Sequence, residues 1–257
     1  MDIAFVEEKD TFLVIYLDDI IVYSNSDEEN IDHLQRVFKK CRKFGISLNP
    51  KKSHLAMKEG RLLGHIISKD GNRIDPKRVQ AIQKIVLPRN KKEIQSFSGQ
   101  VGFLRRFTPS FVEIVKQVTN MLRKESEIKW TTIAIMKSFE VIKKAVAEAP
   151  ILASPDFSKD FIIFSFASEH TVAGVLLQKN DENLEPIAFY NKTLRDAPLK
   201  YNILENQAYA LVQVVKEFRI YILHSHTNAF VPSSMVRDIL TQLDPKGTRG
   251  KWIVVLL

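Results

Sequence analysis

The stretch FLVIYLDDIIVYS, Phe12 to Ser24, places two adjacent aspartates inside an otherwise apolar run. Six apolar residues lead into the pair and four lead out of it. Burial of one unpaired carboxylate is unfavourable, and two neighbouring carboxylates also repel each other. The pattern therefore predicts two strands that meet at Asp18 and Asp19, so that a β-hairpin carries both carboxylates at its tip.

A divalent cation would make such a pair favourable. Mg²⁺ prefers oxygen ligands and commonly takes one or two protein carboxylates together with substrate phosphates. Two such ions roughly 4 Å apart can polarise both the attacking and the leaving oxygen of an in-line phosphoryl transfer. The alternative is that Asp-Asp merely caps a hairpin turn. The strongly apolar flanks and the basic region that follows favour the metal site.

The net charge of +8 is unevenly distributed. Residues 1–35 carry ten acids and one lysine, residues 36–124 carry 22 Lys/Arg against five acids, and residues 125–257 carry 15 of each. A solvated surface is one reading of the basic stretch. Its size favours a polyanion partner instead, because clustered Lys/Arg gain from counterion release on phosphate binding.

Composition predicts a globular protein, with 45% apolar and 26% charged residues. The single cysteine, Cys41, excludes an intramolecular disulfide and fits a reducing compartment. The acidic start is not typical of a signal peptide, and no apolar run approaches the roughly 20 residues of a membrane span. We expect an intracellular protein of the cytoplasm or nucleus that does not enter membranes.

Local patterns predict both helices and strands. Ser26 and Glu29 indicate the start of a helix that ends at Gly45, and residues 46–57 and 61–74 read as short strands. Three basic amphipathic helices follow, and a boundary is expected near 124–131. Beyond it come a helix, three strands, a long helix from about Asn202 to Leu223, and a weakly patterned tail from Pro232.

These segments resemble the Pol polyprotein of gypsy-class long-terminal-repeat retrotransposons. YLDDIIVYS resembles the Tyr-x-Asp-Asp motif of the reverse transcriptase palm, and GISLNPKKSHL, LLGHIIS and PRNKKEIQSFSGQVGFLRRF resemble the next palm motif, the primer grip and the thumb. The segments from Trp130 onward resemble the connection into an RNase H-like module. The chain has Lys52-Ser53 where the palm motif usually ends in Lys-Cys.

The resemblance implies an α+β fold: a partial polymerase palm with a helical thumb, followed by an RNase H-like α/β module. The expected domains are a palm with its primer grip at 1–75, a thumb at 76–127, and a connection with a degenerate, truncated RNase H-like domain at 128–257. The implied partners are dNTP in the parent enzyme, an RNA–DNA hybrid or duplex, and other parts of a Pol polyprotein.

The resemblance also assigns the site residues. Asp18 and Asp19 would be the catalytic ligands of two Mg²⁺ ions. Residues expected to contact nucleotide or primer–template are Tyr16, Lys52, Gly64, His65, Arg105 and Arg106. The third palm carboxylate and the fingers are expected upstream of this chain, and Asp2 and Asp10 stand in the wrong motif context to replace that carboxylate.

The RNase H-like segment departs from the family pattern. Phe166, Gln207 and Pro232 stand where active members carry their three acidic residues, so loss of RNase H cleavage is expected. The expected function is a fragment of an RNA-directed DNA polymerase that is inactive alone. A non-catalytic nucleic-acid-binding remnant and a non-functional genomic relic stay open as alternatives. For the RNase H-like segment itself, neutral decay and conversion to a structural connector both stay open.

Overall fold

The computed structural model describes residues 1, 3–9, 11–122, 133–194, 198, 201–241 and 252. The chain divides into two compact units, Met1–Lys58 and Glu59–Leu257. The domain boundaries expected from the sequence, at 75/76 and 127/128, stay predictions. Asp2, Asp10 and the whole of the expected 124–131 boundary, with Trp130, fall outside the described residues, as does most of the chain end.

The first unit consists of a hairpin and one helix. Strands β1 (Leu13–Tyr16) and β2 (Asp19–Val22) pair antiparallel, and α1 spans Asp27–Lys43. The Ser26 hydroxyl accepts the Glu29 amide at 3.2 Å, which confirms the predicted start of the helix. A small core forms among Phe5, Phe12, Leu13, Val37 and Cys41.

A buried carboxylate joins α1 to the N-terminal segment of this unit. Glu8 is 1% exposed, and its carboxylate accepts from the Lys40 ammonium at 2.7 Å, with Arg36 at 3.5 Å. Burial of a carboxylate without such partners would be strongly unfavourable. Hydrogen bonds from Lys40 to Glu8 and Glu7 raise the pKa of that lysine.

The strand expected within 46–57 is absent, and that prediction is wrong. Pro50–Lys52 forms a 3₁₀ turn instead. The Asn49 side chain accepts the Lys51 amide at 3.0 Å, and the Ser53 hydroxyl donates to the Asn49 carbonyl at 2.9 Å. These local side-chain bonds compete with strand pairing and stabilise the turn.

The second unit begins with a three-stranded antiparallel meander of β3 (Glu59–Leu62), β4 (His65–Ser68) and β5 (Gly71–Ile74). Tight turns at Leu63-Gly64 and Lys69-Asp70 join the strands. The strand β5 gains a further neighbour from far along the chain. Asn72 and Leu152 exchange both backbone hydrogen bonds, at 2.7 and 2.8 Å.

Helices α2 (Pro76–Gln83), α3 (Lys91–Gly102), α4 (Phe111–Asn120) and α5 (Ile133–Ala147) follow the meander. A 3₁₀ segment at Phe103–Arg106, here called the arginine turn, continues α3. Side chains of these helices form one apolar core that includes Ile94, Phe97, Leu104 and Phe139. Lys143 and Gln83 bond reciprocally to each other's carbonyls, which fixes α5 against α2.

A four-stranded sheet in the order β8-β7-β6-β9 completes the fold. Its strands are β6 (Phe161–Ala167), β7 (Thr171–Asn180), β8 (Asn183–Thr193) and β9 (Thr227–Phe230), the last parallel to β6. Helix α6 (Ile203–Ile222) packs on the sheet behind a capping box at Asn202 and Glu205. Helix α7 (Ser234–Leu240) lies in the tail that the sequence left unpatterned.

The α+β architecture expected from the sequence is confirmed by these elements and by the structural neighbours reported below. Within the described ranges, none of the helices has the length and apolar character that crossing a bilayer requires.

Candidate metal and nucleic-acid site

The aspartate pair lies at the tip of the first hairpin. Tyr16 pairs with Asp19, so that Leu17 and Asp18 form a two-residue turn and both aspartates are exposed. Leu17 has φ of 54°, a left-handed conformation that usually requires glycine in such a turn. A non-glycine residue held in this region costs on the order of 1–2 kcal/mol, and such strain concentrates at functional sites.

The donor chemistry of this tip fits a hard cation. Asp18 and Asp19 offer only carboxylate oxygens, the ligand type that Mg²⁺ prefers. Among the residues that the structure describes, no group of three or more His, Cys, Asp and Glu side chains could enclose a metal. Two adjacent carboxylates can therefore hold an ion at the tip, but the described part of the chain supplies no third one.

The other residues assigned to substrate divide between the two units. Tyr16, 44% exposed, and Lys52, exposed in its 3₁₀ turn, belong to the unit with the aspartates. Gly64, His65, Arg105 and Arg106 belong to the second unit. Within the second unit, Gly64-His65 lies close to Arg105-Arg106. The His65 ring packs on Phe103 and Phe107, which flank both arginines in sequence.

The turn between β3 and β4 requires its glycine. Gly64 has φ of 81°, and a Cβ at that position would overlap the Arg78 guanidinium. Arg78 lies 3.8 Å from the centre of the Phe103 ring and donates to the Leu63 carbonyl at 3.1 Å. Arg78 has no local sequence signal, because its contacts with Phe103 and Leu63 depend on how α2 packs against the turn.

His65 packs inward from this turn. Its ring stacks on Phe107 with centroids 5.0 Å apart, and its Nε2 is buried without a hydrogen-bond partner among the described residues. Burial lowers the pKa of His65, and the charge of Arg78 lowers it further. The imidazole is therefore neutral near pH 7.

The depressed pKa of His65 makes stability depend on pH. In the unfolded chain His65 binds a proton near pH 6.5, whereas in the folded chain it binds one only at lower pH. The contribution of neutral His65 to the free energy of unfolding is therefore present above about pH 6.5 and is lost as the pH falls below that value. We expect the melting temperature to fall more steeply below about pH 6.5 in the parent chain than in His65→Phe. His224→Phe, at an exposed position, is the control and should follow the parent. Identical profiles for parent and His65→Phe would contradict this.

Arg105 and Arg106 project from the arginine turn. Neither guanidinium has a carboxylate partner within the described ranges, and Arg105 lies 5.8 Å from the centre of the Tyr190 ring. The same turn packs on β8, so both arginines face residues of the four-stranded sheet. Tyr190 and Lys192 of β8 line this region although the sequence did not mark them. No signal in β8 alone could have done so, because the facing arginines come from a distant segment.

Two of the three positions expected to be degenerate RNase H residues, 166 and 207, lie near each other at one end of the sheet. Phe166 is 55% exposed on β6, and Pro232 follows two residues after the end of β9, whose last residue, Phe230, pairs with Phe164. Gln207 on α6 is buried and clamps the end of β6. Its Oε1 accepts the Ala167 amide at 2.8 Å, and its Nε2 donates to the Ala167 carbonyl at 2.7 Å.

Helix α4 and the segment before it are joined to the sheet by side-chain hydrogen bonds. The Glu113 carboxylate on α4 accepts from the Thr171 hydroxyl at 2.7 Å, at the start of β7, in a partly buried contact. Asn191 on β8 donates to the Thr108 carbonyl at 3.3 Å in a buried contact. Such bonds fix orientation, because breaking them takes a hydrogen-bond partner from Thr171 or Asn191, both buried. The sequence did not single out any of these four residues.

Two protein families match this chain. Residues 2–67 match the family described as reverse transcriptase (RNA-dependent DNA polymerase). Residues 130–229 match the RNase H-like domain found in reverse transcriptase. The matches carry the two motif groups described above, the aspartate hairpin and the sheet with α6.

Relatives and solved structures agree with these matches. The retrovirus-related Pol polyprotein from transposon 297 of Drosophila melanogaster is 36% identical over 210 residues, 82% of this chain. The transposon Tf2-3 polyprotein of Schizosaccharomyces pombe is 29% identical over 97% of the chain. The chain spans 20% and 19% of the length of these two relatives.

Among solved structures, the foamy viral protease-reverse transcriptase resembles 99% of this chain. A form called dRH, in complex with double-stranded DNA, superposes with a TM-score of 0.81 at 26% identity, over 45% of that chain. The enzyme in complex with an RNA/DNA hybrid gives 0.80 at 27% identity, over 35% of that chain.

Proposed function

We propose that this chain belongs to the gypsy class of retrotransposons. The chain is a reverse transcriptase and RNase H-like region of a retrotransposon polyprotein. In this proposal it holds a primer–template and carries the aspartate pair of RNA-directed DNA synthesis. The observation that carries it is the strained hairpin tip, where Leu17 turns the chain and leaves Asp18 and Asp19 exposed. Exposed paired carboxylates at a strained turn fit a metal-dependent transfer better than a turn that only links two strands.

Each assigned residue has a role in this proposal. Asp18 and Asp19 hold Mg²⁺, which when bound supplies charge stabilisation to the phosphoryl group being transferred. Tyr16 and Lys52 contact the incoming nucleotide, and the backbone at Gly64-His65 supports the primer terminus. The packed, neutral ring of His65 supports a positioning role for this turn rather than proton transfer.

The proposed partner is an RNA–DNA hybrid or duplex. The structural neighbours are complexes with double-stranded DNA and with an RNA/DNA hybrid. The basic stretch 36–124 supplies the charge, and Arg105 and Arg106 have no carboxylate partners in the described residues. Phosphate contacts of this kind give affinity that falls strongly with salt and shows little sequence preference.

RNase H cleavage is lost in this proposal. Phenylalanine and proline offer no ligand at positions 166 and 232, and the Gln207 amide is already bound to the backbone of β6. The intact sheet, the capping box of α6 and the bonds to α4 support conversion into a structural connector. A decaying segment would more often lose its buried hydrogen bonds and its apolar core.

The second candidate is a nucleic-acid-binding remnant without chemistry. It is favoured by the lack of a third carboxylate near the aspartate pair within the described residues, which predicts very low synthesis by the chain alone. The two candidates share the duplex partner and differ only in nucleotide addition. A non-functional relic would bind no duplex and would not melt cooperatively.

The test combines binding and primer extension. Purified chain should bind a primer annealed to an RNA template, with affinity that falls steeply as salt rises. Extension in Mg²⁺ or Mn²⁺ that disappears with a chelator would support the polymerase proposal. Duplex binding without primer extension would support the second candidate, a nucleic-acid-binding remnant without chemistry. Affinity that does not change with salt, or no cooperative melt, would contradict both.

A further inference from the structure

An open cleft of about 440 Å³ lies in the second unit between the arginine turn and β8. Arg105 and Arg106 line one side, and Tyr190 and Lys192 line the other. Both sides belong to the Glu59–Leu257 unit, and the arginine turn packs directly on β8. The cleft is thus formed jointly by the thumb-like helices and the RNase H-like sheet.

The charge of this cleft is positive. Two guanidinium groups and one ammonium line it, against the single carboxylate of Glu217. In the described residues none of these groups forms an ion pair. Lys192 donates only to the neutral Gln213 amide oxygen, at 3.0 Å. Three cations held together without matching carboxylates repel one another, and an anion bound among them relieves that repulsion.

Tyr190 adds a neutral donor to the cleft. Burial raises the pKa of Tyr190 to about 12, helped by the charge of Glu217 and opposed by that of Arg105. Its hydroxyl therefore stays protonated throughout the physiological range. Planar guanidinium groups, an ammonium and a hydroxyl are together the donors that proteins use to bind phosphate oxygens.

The shape of the cleft favours a phosphate that belongs to a polymer. It is an open cleft and not an enclosed cavity. Backbone phosphates are approached from one side, by donors on an exposed surface. The cleft also adjoins the turn that packs on His65 and thus lies beside the proposed primer support.

We propose that this cleft binds a backbone phosphate of the nucleic acid, with Arg105, Arg106 and Lys192 as its cationic donors. The choice of nucleic acid as the ligand rests on the proposed function. The proposal adds a contact between that nucleic acid and the RNase H-like sheet. Lys192 then gives the sheet a role in holding primer–template that does not need cleavage chemistry. A free phosphate ion offers the same oxygens and is the alternative source.

The test uses Lys192→Gln in the full chain, with Lys216→Gln as a control of equal charge on α6 outside the cleft. Binding of a labelled RNA–DNA hybrid is measured at several salt concentrations. We expect Lys192→Gln to weaken binding several-fold and to reduce the slope of log affinity against log salt by about 1. Lys192→Arg should stay close to the parent chain. Equal affinity and slope for Lys192→Gln and Lys216→Gln would overturn the proposal.

A second arm uses inorganic phosphate at constant ionic strength, followed by the NMR signals of the arginine side chains. Phosphate should shift the Arg105 and Arg106 signals in the parent chain and less in Lys192→Gln. If phosphate shifts the arginine signals of the parent chain but Lys192→Gln binds the hybrid as tightly as the parent does, the ligand of the cleft is not a phosphate of the nucleic-acid backbone. If the parent chain binds no hybrid, the proposed function fails. The phosphate titration then tests the cleft independently. A shift of the arginine NMR signals would support an anion site in the cleft, and the absence of a shift would refute it.

Discussion

Replacing Asp18 and Asp19 together by asparagine is expected to abolish divalent-cation binding at the hairpin tip and any primer extension that the chain performs. Asparagine keeps the shape of each side chain but removes the charge that attracts a hard cation. Both aspartates are exposed, and the turn depends on backbone pairing between Tyr16 and Asp19. The variant should therefore fold and melt like the parent chain while losing the ion.

Mn²⁺ is the appropriate probe for this variant, because its unpaired electrons broaden NMR signals near the bound ion. In the parent chain we expect broadening around Tyr16 to Ile20, and in the double variant none. The control is Glu28→Gln/Asp32→Asn, which removes two exposed acids from α1 of the same unit. Broadening that persists in the Asp18/Asp19 variant, or extension that survives in it, would refute the assignment.

Replacing Gln207 by glutamate is expected to destabilise the second unit strongly, although it places an acidic residue where the sequence comparison with active RNase H predicts one. The amide now donates to the Ala167 carbonyl at 2.7 Å and accepts from the Ala167 amide at 2.8 Å. An ionised carboxylate can accept but cannot donate, so its second oxygen would face the carbonyl in a buried site. We expect a loss on the order of 3 kcal/mol at neutral pH.

Acid should partly reverse this loss, because a protonated carboxyl group can donate to the Ala167 carbonyl again. Denaturant unfolding at pH 7 and pH 5 measures both values. Gln213→Glu on the same helix is the matched control, since a carboxylate there would accept from Lys192 at a half-exposed position and should not destabilise. Hybrid cleavage should stay absent with Phe166 and Pro232 in place. Parent-like stability of Gln207→Glu at pH 7 would show that the clamp contributes little.

Local sequence signals predicted the elements with strong periodicity and caps. The aspartate pair marked the hairpin tip, and Ser26 with Glu29 marked the start of α1, because side-chain bonds to the first turn are encoded within four residues. The long helix α6 and strands β6 to β8 were predicted from their apolar patterns. Each has a continuous apolar pattern, and these apolar residues are buried in the core of the fold.

Features that depend on distant segments could not be predicted in this way. The apolar character of residues 46–57 favoured a strand, but the Asn49 side chain bonds locally and no described strand pairs with that segment. Gln207 was identified as a substitution, yet its clamp on Ala167 depends on how α6 packs against β6. The proposed phosphate cleft requires Arg105 and Lys192 to meet across 87 positions of sequence. The sequence marked Arg105 as a nucleic-acid contact, but Lys192 carries no local sign of this role.

The pairing of Asn72 with Leu152 has a consequence for how the chain folds. These reciprocal bonds join β5 to the segment after α5, so helices α2 to α5 lie inside a closed loop of about 80 residues, whose closure costs roughly 4 kcal/mol of chain entropy. Gly71 supports the junction, because a Cβ there would clash with the Leu152 carbonyl. A contact this distant forms late unless the intervening helices first collapse onto their shared core. We therefore expect the four helices to pack together before the two ends of the loop pair.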